Sequence, residues 1–202
     1  MNESLQLTLA HSLIEVDDSV LIVIDVQNFF LAKLPPEERD LLVARIGWLI
    51  KVAIRLNVPI VVTAENIPKL GGVVPAIAEA LPPDSPVFNK MVFDVAENQH
   101  IIAAVQDTGR NTAVLVGLET DVCVAHSALG LSRRGFEVVV VADAAASSGS
   151  SHQVGLERMR RAGVLVSSVK SLYYEWIRTV AKDNQFMERY AQEIGLPRGI
   201  SL

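Results

Sequence analysis

A single cysteine, Cys123, stands among 202 residues. It cannot form an internal disulfide, so nothing here calls for an oxidising compartment, and the expected cytoplasmic location would keep the thiol reduced and available for chemistry. Long apolar runs are lacking too. The stretch Val20 to Ile24 is about a quarter of the roughly 20 residues needed to cross a bilayer, so no membrane association is expected. The start MNESLQLTLAH lacks a basic n-region, so no export signal is expected either. Positive charge is not concentrated beyond Arg133-Arg134 and the segment Arg158 to Arg161, and the formal net charge is -5. That balance argues against a nucleic-acid partner, because phosphate binding depends on clustered cations. No Gly-x-Gly-x-x-Gly or phosphate loop follows the first apolar run, where DVQNFF stands instead, so a dinucleotide cofactor has no physical basis. The histidines, His11, His100, His126 and His152, are scattered without ligand spacing, and neither a catalytic metal nor another cofactor is expected.

What is present is aliphatic. Half of the residues are hydrophobic, enough for one sizeable core, and a single domain over 1–202 is expected. Five short runs read as strands buried on both faces because they are continuous and β-branched: Val20–Ile24, Ile60–Val62, Ala113–Val116, Val138–Val141 and Val164–Val166. Helical patterns lie between most of them. Pro35-Pro36 opens a segment with apolar residues at three- and four-residue spacing up to Ala53, and further helices are expected at roughly 94–107, 121–134 and 152–162. This alternation predicts a doubly wound, three-layer α/β/α fold with a mostly parallel sheet. The proline- and glycine-rich stretch from Glu65 to Lys90, with one short helical pattern, reads as a binding loop. The tail from Lys170 reads as one or two helices, whose Tyr173, Tyr174, Trp176 and Phe186 are expected to cover the sheet edge or a partner subunit.

In an open α/β sheet, ligands sit beyond the carboxyl ends of the strands. The first polar residues after the apolar runs are Asp25, then Thr63 and Glu65, the Gly117–Cys123 loop, and Asp143. If the strand ending at Ile24 neighbours the one leading into that loop, their axes lie about 4.8 Å apart and Asp25 and Cys123 share one rim. A carboxylate alone would raise the thiol pKa, so a positive group must compensate. A helix starting near Asp121 and the lysine of VFNKMVFD, Lys90, are the candidates to favour the thiolate. Gln27 and Asn28 either orient Asp25 or substrate, or serve the turn. His126, one helical turn beyond Cys123, is expected to pack or cap, because its side chain projects along the helix side.

LIVIDVQNFF, NKMVFD and VGLETDVCV, in that order, resemble the Asp, Lys and Cys motifs of the isochorismatase-like cysteine hydrolases, which include nicotinamidases, N-carbamoylsarcosine amidase and isochorismatase. The resemblance covers about residues 18 to 180, leaving 181–202 as a helical tail. It implies a nucleophilic Cys123, Asp25 as general base and later acid, and Lys90 as the cation holding both in their reactive states. It also implies an oxyanion hole from the amides of Glu119 and Cys123, a cis peptide between Leu118 and Glu119, and a homo-oligomer. The Glu119 side chain is expected to turn away from the oxyanion onto a hydrogen-bond donor. Zinc nicotinamidases carry an aspartate and histidines after the second strand, where TAENIPKLGG has no histidine. Together with the loop, Gln27, Phe29, Glu65 and Leu70 are expected to line the pocket of a small-molecule substrate.

The implied chemistry is metal-independent cleavage of a C–N bond in a small amide or ureido compound. The alternatives are isochorismatase-type hydrolysis of a vinyl ether, for which the aspartate is the key acid and the cysteine dispensable, and a non-catalytic oligomeric interaction module. Retention of Asp25, Lys90 and Cys123 together favours the first.

Overall fold

A computed structural model describes residues 13–196 and 199–202; His11 lies outside them. Six strands form one parallel sheet: β1 (Ser19–Ile24), β2 (Ile60–Glu65), β3 (Val87–Lys90), β4 (Thr112–Leu118), β5 (Glu137–Ala146) and β6 (Leu165–Ser167). Their order is β3-β2-β1-β4-β5-β6, and every neighbouring pair is parallel. The order reverses direction after β3, so the chain winds outward first on one side of β1 and then on the other.

The longer helices are α1 (Pro36–Arg55), α2 (Gln99–Asp107), α3 (Ala125–Arg133), α4 (Ser151–Arg161), α5 (Val169–Ile177) and α6 (Val180–Ile194). Pro36 opens α1, where a missing amide hydrogen costs nothing, and Glu37 and Glu38 complement the positive helix end. Alternating strand residues supply two cores, as the period of two requires. Leu21, Val23, Val114, Val116 and Val139 pack with α1, α5 and α6 on one face. Val20, Ile22, Ile24, Leu115 and Val140 pack with α2, α3 and α4 on the other. This is the expected three-layer α/β/α arrangement. Among the described residues no helix is long and apolar enough to cross a membrane.

Two expectations are corrected. The sheet has six strands, not five: Val87–Lys90 is an edge strand whose first three residues are only partly buried or exposed, so VFNK carries no continuous apolar signature. The aromatic tail covers a sheet face and not the edge. Tyr173 and Phe186 pack 5.8 Å apart, Tyr173 meets Trp48 of α1 at 5.3 Å, and the Trp176 indole donates to the Ser19 hydroxyl at the start of β1 (3.1 Å). The stretch 65–90 contains two short helical turns, Ile67–Leu70 and Pro75–Ala78, ahead of β3.

Candidate active site

Four neighbouring strands end at one rim, and register decides what meets there. Ile24 is level with Thr63 on one side and Gly117 on the other, and Glu65 is level with Lys90. Asp25, immediately after β1, takes a left-handed backbone conformation (φ 51°), which aspartate tolerates better than most residues. Its amide donates to the Thr63 carbonyl (3.1 Å), and its own carbonyl accepts from the Gln27 amide (2.8 Å). Gly117 is required for this approach. A Cβ there would stand 1.9 Å from the Ile24 carbonyl oxygen, with φ at +119°, so only glycine lets β4 close on the strand end that carries Asp25.

Asp25 and Lys90 are completely buried, and Cys123 is 2% exposed. The Lys90 ammonium lies 2.6 Å from Asp25 Oδ2, donates to the Val92 carbonyl (3.1 Å) and reaches Cys123 Sγ at 3.4 Å. The Thr63 hydroxyl donates to Asp25 Oδ1 (3.0 Å). Oδ2 meets the ammonium as an ion pair but accepts no well-directed hydrogen bond. Glu65 completes the cluster: Sγ donates to its Oε2 at 3.5 Å, and the same oxygen is 3.6 Å from Lys90 Nζ. Burial raises the proton affinity of Asp25 above the usual carboxylate range, against the opposing pull of Lys90. Burial also acts to discharge Lys90, but Asp25 and Cys123 outweigh it and hold the ammonium. For Cys123, burial and then the Asp25 charge push the thiol well up, and Lys90 offsets this only in part. Burial and Asp25 thus favour the thiol form, and Lys90 favours the thiolate.

Residues Thr120–Val124 form a single π-helical turn ahead of α3, so Cys123 sits in an irregular turn and not in the first turn of an ordinary helix. The Leu118–Glu119 peptide is cis. The Glu119 carbonyl accepts from the amides of Val122 (3.2 Å) and Val124 (3.1 Å), and its carboxylate accepts from Lys33 Nζ (2.9 Å). Behind this turn stand residues that no sequence motif singles out. Thr120 Oγ1 and His152 Nδ1 are 2.9 Å apart, and the Ser147 hydroxyl donates to Asp121 Oδ1 (2.6 Å). A Cβ on Gly155 of α4 would lie 2.8 Å from the Asp121 Cα. A glycine in mid-helix is the signal that could have found this contact.

The other expected site residues separate. The Gln27 side chain donates to the carbonyls of Glu65 (2.9 Å) and Gly71 (2.6 Å) and accepts from the Glu65 amide (2.8 Å), so it clamps the end of β2 to the following loop. Phe29 is exposed, with Lys33 Nζ 5.1 Å from its ring. Leu70 is partly buried and packs against the α1-side core. Asp143 lies within β5, where its carboxylate accepts from the Val169 amide at the start of α5 (2.8 Å). His126 packs edge-on to Phe93 at 6.0 Å. A cleft of about 500 Å³ is lined by Lys33, Arg45, Asp143, Ser147 and His152 among others, but by none of Asp25, Lys90 and Cys123. Its lining residues Lys33, His152 and Ser147 contact Glu119, Thr120 and Asp121 of the neighbouring turn.

One oxygen each of Asp25 and Glu65 and the Cys123 sulfur lie within 4.8 Å of one another, a spacing that suits a cation. The Lys90 ammonium already stands among them.

The isochorismatase domain profile matches residues 19–171. The chain is 35% identical over 166 residues to the secreted isochorismatase effector Isc1 of Phytophthora sojae, covering 78% of this chain and 76% of that protein. That relative is secreted, so kinship does not specify a compartment. The fold resembles that of YcaC from Pseudomonas aeruginosa, described with hexane-2,5-diol and covalent acrylamide. Its TM-score is 0.79 at 25% identity, over 87% of this chain and 88% of that one. The YcaC gene product of Escherichia coli, described as an octameric hydrolase of unknown specificity, has a TM-score of 0.77 at 23% identity, over 91% and 93%. With the domain matched over most of its length, the chain belongs to the isochorismatase family of hydrolases.

Proposed function

We propose that the protein is a metal-independent cysteine hydrolase that cleaves a C–N bond of a small amide or ureido substrate through a thioester on Cys123. The observation that carries this reading is the buried Lys90 ammonium, 2.6 Å from the Asp25 carboxylate and 3.4 Å from the Cys123 sulfur. As Sγ attacks the carbonyl carbon, Asp25 takes the thiol proton, and the negative charge that builds on the substrate oxygen is met by the amides of Glu119 and Cys123. Collapse breaks the C–N bond, and Asp25 returns the proton to the leaving nitrogen. Water then attacks the thioester, gives a proton to Asp25, and the thiol is restored as the acid departs. The raised proton affinity of Asp25 suits a group that must accept and release a proton in each half-reaction.

A vinyl-ether hydrolase would use Asp25 as an acid and leave Cys123 without a task. The sulfur's contact with Lys90 supports the amide reading instead. The proposal includes a homo-oligomer: Met91 and Phe93 are exposed immediately after Lys90, an apolar surface that a second copy would cover.

The test is a panel of small amides and ureas with ammonia release as readout. Cys123→Ala and Asp25→Asn are each expected to abolish turnover of whichever compound is cleaved. Full activity in Cys123→Ala would favour the vinyl-ether reading. EDTA should leave the rate unchanged, and a loss restored by zinc would overturn metal independence.

A further inference from the structure

The proposed mechanism gives no role to Glu65, yet its carboxylate is as close to the sulfur as Lys90 is. Asp25 and Lys90 are sealed, whereas the Glu65 side chain is 21% exposed. It is therefore the member of the cluster that solvent or a ligand can reach. Its backbone is fixed on both sides: the Gln27 side chain bonds its amide and carbonyl, and register on β3 sets it level with Lys90. Only the side chain is left to respond to a ligand. The ionic count within the cluster is two carboxylates, Asp25 and Glu65, against one ammonium, Lys90. The neighbouring acid Glu119 is paired with Lys33 and does not alter that count.

From this geometry we infer that Glu65 is the charge-selecting, substrate-contacting residue of the site. It accepts hydrogen bonds from N–H groups of an uncharged or cationic substrate beside Cys123, and it repels carboxylate-bearing compounds. The inference rests on the cysteine-hydrolase reading and narrows it to a substrate class. A carboxylate 3.5 Å from the reacting sulfur interacts with any charge brought to that sulfur, and the partly exposed setting reduces the interaction without removing it. An N–H donor at the same place satisfies an oxygen whose present partners are a thiol and a lysine at long range.

Cys123 is the only cysteine in the chain, so its alkylation reports on this site without a known substrate. Iodoacetamide and iodoacetate deliver the same carbon to sulfur: the S–C bond forms, iodide leaves and the thiol proton is lost. They differ in the charge placed beside Glu65. In the wild-type protein iodoacetamide should react about tenfold or more faster than iodoacetate, a difference of about 1.4 kcal/mol in barrier. Glu65→Gln keeps the side-chain shape and an acceptor oxygen. Loss of its charge eases ionisation of the thiol for both reagents alike, so Glu65→Gln should raise the iodoacetate rate about tenfold more than the iodoacetamide rate and bring the ratio of the two close to one. Equal rates for the two reagents in the wild type, or a rate ratio unmoved by Glu65→Gln, would overturn the charge-selecting role while leaving the nucleophile intact. Labelling by either reagent only after denaturation would overturn the nucleophile reading and this inference with it.

Discussion

Replacing Lys90 with methionine removes the buried cation at nearly constant volume. The ammonium lies 2.6 Å from Asp25 Oδ2 with both groups sealed from solvent, a Coulomb interaction of about 6 kcal/mol at an effective dielectric of 20. Part of that offsets desolvation, so the expected loss of stability on breaking the pair is about 3–5 kcal/mol, or roughly 10 °C in Tm for a chain of this size. Asp25 is left buried without its cation and escapes by binding a proton. Its folded pKa, already raised by burial, rises further, so the native state holds a proton that the unfolded state releases above about pH 4. The variant therefore loses stability as pH rises from there, and the gap to wild type should be wider at pH 8 than at pH 5. A protonated Asp25 cannot accept the thiol proton, so activity should fall at least about a thousandfold. Urea unfolding at both pH values supplies the measurement, with Asp25→Asn and the double variant closing a thermodynamic cycle. A coupling energy below about 1 kcal/mol, or a gap that narrows as pH rises, would refute the buried ion pair as the organising interaction of the site.

Gly155→Ala should gain about 1 kcal/mol of helix propensity and yet cost activity, because its methyl would press on the Asp121 backbone at 2.8 Å. Displacing the turn that carries Cys123 should reduce kcat by about 10- to 100-fold in the substrate assay, and a fully active variant would show that the turn is not seated by α4. In Asp25→Asn, the Thr63 hydrogen bond can persist while the like charge beside the thiol is gone. The Cys123 pKa, held up partly by Asp25 and drawn down by Lys90, should fall, moving the iodoacetamide rate profile to lower pH. An unmoved profile, or one shifted upward, would contradict the assigned electrostatics.

Much of this architecture is legible in the amino-acid sequence. Continuous β-branched runs such as Val20 to Ile24 admit little besides strands buried on both faces, and their alternation with helical spacing leaves few parallel topologies. Asp25, Lys90 and Cys123 can be picked out because each stands in a motif beside an apolar run. Local pattern fails where no run exists, as in Val87–Lys90, a partly covered edge strand held in place by β2. The supports of the turn that carries Cys123, namely Ser147, His152 and Gly155, are ordinary residues of a loop and a helix, and only the packing of α4 against residues 120 and 121 gives them a task. Whether Cys123 rests as thiol or thiolate is likewise decided by tertiary structure. The outcome depends on how far burial and Asp25 outweigh Lys90, and both the loss of water and distances of a few ångströms exist only once the strand ends have been brought together.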